Sequence, residues 1–122
     1  MSEYPGWIQV LFSRGSAHHA LKTAFLVNST RTCIENEVDA HHNGRELLRA
    51  VALEELSSDN IDNVAYSLVC LSVVGRPADL VNVEPYVTHT SDLVCRAAKS
   101  CRFALKQLSR TARPPNDRPP AA

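Results

Sequence analysis

Between Gly44 and Arg110 the apolar residues recur at helical spacing in stripes separated by short polar turns, a pattern that leaves little room for anything but packed helices. Leu47, Leu48, Val51, Ala52 and Leu56 share one face, after which Ser57, Ser58 and Asp59 supply turn and N-cap chemistry. Ile61, Val64, Ala65, Leu68, Cys70 and Leu71 form a second stripe, ended by Gly75 as a C-cap. Pro77 suits the first position of a third helix, expected to run through Val87. Ser91 or Asp92 caps a fourth, with Val94, Ala97, Ala98, Cys101, Leu105 and Leu108 inward and Lys106 and Arg110 near its negative dipole end. Helices of this length joined by short turns form antiparallel hairpins.

The chain resembles itself at a shift of 33 residues. Ile61 then falls on Val94, Val64 on Ala97, Ala65 on Ala98, Leu68 on Cys101 and Leu71 on Ala104, while Ala50 and Leu53 fall on Val83 and Tyr86. Such a period marks stacked hairpins that cannot bury their apolar faces singly. The run Gly75 to Val87 resembles the first helix of a HEAT repeat, with Val83-Glu84-Pro85-Tyr86-Val87 in the place of the family's V-E-P-L-I. Ser91 to Ala98 resembles its D-x-x-V-R-x-A-A second-helix opening, except that Asp92 stands two residues before Val94 rather than three. The resemblance is closest over residues 75–108, extends in weaker form to 44–74, and is poor over 1–43. It implies an all-α superhelix of HEAT-like antiparallel hairpins in a single domain, with a kink tolerated at Pro85 and second helices lining a concave surface. Its pattern is packing chemistry, so it speaks for fold rather than function.

The flanks carry weaker signals. Trp7, Ile8, Leu11 and Phe12 fit a short amphipathic helix, and Ser16 could cap a second with Ala20, Leu21, Ala24, Phe25 and Val27 inward. Residues 1–43 are thus expected to form a helical cap or a degenerate hairpin ahead of two repeats over 44–110. From Asn28 to Asn43 two readings stay open: a helix opened by the capping-box pattern Thr32-Cys33-Ile34-Glu35, or an irregular loop. Pro114, Pro115, Pro119 and Pro120 make residues 111–122 a disordered tail in expectation.

Several function classes find no support. Net charge is zero, which removes any whole-molecule attraction to nucleic acid or membrane. The longest apolar-looking run, Val64 to Val74, is broken by serines and is far short of the roughly 20 residues that span a bilayer. Without a secretory n-region or h-region at the start, a cytoplasmic address is expected. Cys33, Cys70, Cys95 and Cys101 form no C-x-x-C pair and read as reduced, small core residues. The doublets His18-His19 and His41-His42 point about 100° apart on a helix, unlike a chelating H-x-x-x-H, and with His89 they read as exposed polar residues; no metal and no cofactor are expected. Nucleophile elbows, zinc-protease motifs and phosphate loops are missing, so no catalytic residues are assigned.

Charge is distributed unevenly. Residues 35–62 hold eight acids against Arg45 and Arg49, and residues 96–118 hold seven bases against Asp117. Arg96, Lys99, Arg102, Lys106 and Arg110 form a basic stripe, and Tyr66 occupies the repeat position of Lys99, so Tyr66, Arg96, Lys99 and Arg102 are candidate partner contacts on a concave face. Nucleic-acid binding would want aromatic rings interleaved among the cations, and none is read there, so a nucleic-acid partner is not expected. Glu54, Glu55, Asp59 and Asp62 cluster around one turn, where their fields add and would draw in a basic protein. The expected function is a non-catalytic protein-binding module, most concretely a bacterial immunity or antitoxin-like protein neutralising a basic toxin such as a nuclease. The alternatives are an adaptor or assembly factor, and a HEAT-like lyase or nucleic-acid-processing enzyme.

Overall fold

The computed structural model describes residues 3–17 and 24–111. Among the described residues six α-helices follow one another: α1 (Gly6–Ala17), α2 (Ala24–Asp39), α3 (Gly44–Glu55), α4 (Ile61–Val74), the single-turn α5 (Leu80–Val83) and α6 (Asp92–Thr111). Short 3-10 turns at Pro77–Asp79 and Glu84–Thr88 flank α5, and no strand occurs among the described residues. The described residues are all-helical, as the periodicity over 44–110 requires.

The organising element is α4, buried without interruption from Val64 to Ser72, with α1, α2, α3 and α6 packed around it. A helix apolar all round belongs at a centre rather than on a rim. Phe12 from α1 meets the Tyr66 ring edge-on at 5.0 Å and covers α4 there. Ile34 and Val38 from α2, Leu48 and Val51 from α3, and Val94, Ala98, Cys101 and Leu105 from α6 complete one continuous core.

Local chemistry sets the ends of α4. Three consecutive residues there could cap it, and Asn60 does so, its Oδ1 accepting from the Asn63 amide at 3.2 Å, while Ser58 Oγ accepts from the Asn60 amide at 3.0 Å. Asp59, expected as part of the cap, is left exposed in the turn. At the far end Gly75 is the C-cap in an extended rather than left-handed conformation (φ −69°, ψ 170°). Its reason is space: a Cβ there would run into the Leu71 carbonyl oxygen and lie 3.0 Å from Leu105 Cδ2.

The third helix is not continuous from Pro77 through Val87. Pro85 has no N–H to offer the Val81 carbonyl and its ring crowds that group, so α geometry survives only over Leu80–Val83, between tighter 3-10 turns. Three contacts nevertheless tie this segment to α3 at one constant offset. Arg76 Nη2 reaches Glu46 at 3.1 Å, Arg49 reaches Asp79, and Tyr86 donates its hydroxyl to the Leu56 carbonyl at 2.8 Å. Each pair is 30 residues apart, so the two segments run side by side in the same direction.

At the N-terminal side, Thr32 to Glu35 lie inside α2, so they form no capping box, and the stretch left open between helix and loop is helical through Asp39. Ser16 falls within α1 rather than opening a second helix. His18, His19, Ala20, Leu21 and the tail beyond Thr111 lie outside the described residues.

Candidate interaction surfaces

Two charged surfaces emerge on opposite principles. The first gathers where the turn 56–60 joins α3 to α4. Glu54, Asp59 and Asp62 are exposed there, and none of them forms an ion pair with a described residue. Glu55 is half-buried and held: its Oε2 accepts from the Tyr4 hydroxyl at 3.1 Å and its Oε1 from Asn63 Nδ2 at 3.4 Å. The Tyr4 hydroxyl feels this surroundings directly. Burial raises its pKa first, and the hydrogen bond to Glu55 with the charges of Glu55 and Glu54 raises it further. Glu3, next to Tyr4, is exposed and brings one more acid to the same end of the molecule.

Five other acids contrast with this group, while Glu35, exposed on α2, also forms no ion pair with a described residue. Asp39 pairs with Arg45 at 3.2 Å, Glu46 with Arg76 at 3.1 Å, Asp92 with Arg96 at 3.0 Å and Glu84 with Arg102 at 3.7 Å. Asp79, 2% exposed, receives Arg49 through two bonds, Nε to Oδ2 at 2.8 Å and Nη2 to Oδ1 at 2.6 Å, and the Arg76 backbone amide at 2.8 Å. Burial works against the Asp79 carboxylate, but these donors together hold its pKa below the usual 3.8. Sequence periodicity gives no hint of this pair, whose partners lie in separate helical segments; the nearest signal is the acid two residues after Pro77, a helix-opening pattern.

The second surface is the outer face of α6. Lys99, Lys106 and Arg110 are exposed and form no ion pair with a described residue, Arg96 is engaged by Asp92, and Arg102 is half-buried at the flank beside Glu84. The centre of the face is Phe103, 65% exposed, so an aromatic ring does stand among the cations. It was discernible from spacing, four residues after Lys99 and three before Lys106.

Tyr66 is a correction. It is 2% exposed beneath Phe12, because α4 is central and α1 covers the face that Lys99 leaves open on α6. It offers no surface to a partner, and burial drives its hydroxyl pKa upward. Between α3 and the end of α4 a cavity of about 340 Å³ is lined by Arg45, Arg49, Arg76 and Leu108. Its three guanidinium groups are already committed to Asp39, Asp79 and Glu46.

Among the histidines, His41 stacks on Trp7 with centroids 4.4 Å apart and lies 3.5 Å from Glu37, while His89 Nδ1 accepts from the Ser91 amide at 2.9 Å. Neither is the free polar residue that doubling and isolation suggest. Among the described residues no group of three or more His, Cys, Asp or Glu could hold a metal ion, and no helix is long and apolar enough to cross a membrane. Compared with protein-family models, curated proteins and solved structures, the chain gives no significant match in any of the three.

Proposed function

We propose that this chain is a non-catalytic, HEAT-like helical module that binds a basic protein through the acidic end of α3 and α4. In its most concrete form it is a bacterial, cytoplasmic immunity or antitoxin-like protein whose partner is a basic toxin such as a nuclease. The observation that carries the reading is selective compensation. Asp39, Glu46, Asp79, Glu84 and Asp92 each hold a cation, whereas Glu54, Asp59 and Asp62 hold none among the described residues. Charges left uncompensated on one patch raise the local potential and speed capture of an oppositely charged partner.

A HEAT-like arrangement draws support from the parallel run of α3 and the segment 76–86 at a constant offset, which is how successive first helices lie in a stacked repeat.

The test is stoichiometric binding and inhibition. The tagged chain should recover one basic protein in equimolar amount from its native lysate, release it at high salt, and suppress that protein's activity when remixed with it. The triple variant Glu54→Ala, Asp59→Ala, Asp62→Ala should lose capture by tenfold or more. Equal capture by the triple variant, or a captured protein whose activity is untouched, overturns the reading.

A further inference from the structure

We propose that the outer face of α6 binds single-stranded nucleic acid, by stacking a base on Phe103 and placing phosphates against Lys99, Lys106 and Arg110. Positions 96, 99, 103, 106 and 110 follow one another at steps of three and four, so they form one ridge along the helix. The opposite face, Val94, Ala97, Ala98, Cys101 and Leu105, is buried against the core, which fixes the ridge outward. Phe103 at 65% exposure is a large ring held in water, the most exposed large apolar side chain on this helix, where Leu108 is 37% exposed and Val94, Cys101 and Leu105 are covered.

Charge decides the class of ligand. Arg96 and Arg102 are answered by Asp92 and Glu84, but Lys99, Lys106 and Arg110 are answered by no described carboxylate. The ligand is therefore anionic, and the ring requires that it also present a flat π face. Nucleobases on a phosphate chain supply both. An acidic peptide would satisfy the cations and leave the ring idle; an anionic bilayer would need more apolar area than one ring offers. A duplex hides its base faces, so the strand must be single. From Arg96 to Arg110 the ridge rises about 21 Å, space for roughly four nucleotides.

This surface is separate from the acidic patch, and the two readings can fail independently. The experiment is fluorescence anisotropy of a labelled ten-nucleotide oligothymidylate at low salt, against a hairpin duplex and an oligoglutamate peptide as competitors. Oligothymidylate should bind, with a salt slope near −2 as expected for about three phosphate contacts on a single strand. Phe103→Ala should weaken it about tenfold or more, and Lys99→Gln with Lys106→Gln should flatten the salt slope. The triple acidic variant should bind the oligonucleotide at least as well as the unaltered chain. No binding at low salt, unchanged affinity in Phe103→Ala, or displacement by oligoglutamate as effective as by unlabelled strand would each overturn the proposal.

Discussion

Arg49 clasps Asp79 with two hydrogen bonds of 2.6 and 2.8 Å, joining α3 to the turn that opens the segment after α4. Arg49 keeps a quarter of its side chain in water, whereas Asp79 keeps 2%. Asp79→Asn leaves the guanidinium facing a neutral amide and should cost about 3 kcal/mol, the lower end of the range for breaking a buried pair because Arg49 still reaches solvent. The double variant Arg49→Met, Asp79→Asn should lose less than the two single variants combined. Urea midpoints measure both, and strict additivity would show that the pair is not coupled.

The same pair predicts an acid-sensitive fold. Asp79 has a folded pKa below its ordinary 3.8, so its stabilisation is complete above the unfolded value and disappears as pH falls through the lower, folded one. Stability should therefore drop from about pH 4 downward, and the gap between the unaltered chain and Asp79→Asn should close over that interval. Urea titrations at about pH 6 and pH 2.5 would show it. A gap of equal size at both values would mean the carboxylate's charge is not what stabilises the contact.

The legible parts of the chain were those where one physical cause dominates. The stripes of α3, α4 and α6 lie where they do because each must bury an apolar face, although Leu47, Ile61 and Leu108 fall at its edge and are exposed. Caps were less legible because Ser58, Asp59 and Asn60 have nearly equal capping chemistry, and only the geometry of the turn selects Asn60. α2 hides its helicity by burying only Ile34 and Val38 along its second half, between polar residues. The segment after Gly75 carries a helical pattern that Pro85 overrides locally. For the surfaces, exposed charges announce themselves, so Glu54, Asp59, Asp62 and Lys99 stand on the outside as expected. Tyr66 does not, since the register that relates it to Lys99 ignores which of the two helices has a neighbour on that side.

Gly75→Ala should destabilise the chain by about 1 to 3 kcal/mol, measured by thermal unfolding. Its extended backbone is open to any residue, so conformational strain plays no part. The cost comes from the new methyl group meeting the Leu71 carbonyl oxygen, which already accepts the Gly75 amide at 2.8 Å, and from Leu105 beside it. Trimming Leu105 could relieve only the side-chain contact. A stabilised variant, the usual result where the fold has room and only unfolded-state entropy changes, would show that the junction can open.

Thiol reactivity should divide the four cysteines by burial. Cys33 is exposed on α2 and should react fully with an aromatic disulfide reagent in the native state. Cys95 is half-buried with its Sγ donating to the Val87 carbonyl at 3.0 Å, which restricts the reagent's approach and should slow it. Cys70 and Cys101 are buried in the contact between α4 and α6; burial pushes Cys70 well up and Cys101 to about 12, so neither supplies thiolate near neutral pH. One rapid equivalent, one slow one and two released only by denaturant is the expected sequence. Because the last two report on separation of α4 from α6, their exchange rate should rise in Asp79→Asn in step with its loss of stability. Rapid native reaction of all four would mean that α6 does not stay docked, and the outer face assigned to Phe103 would then have no fixed inner face opposite it.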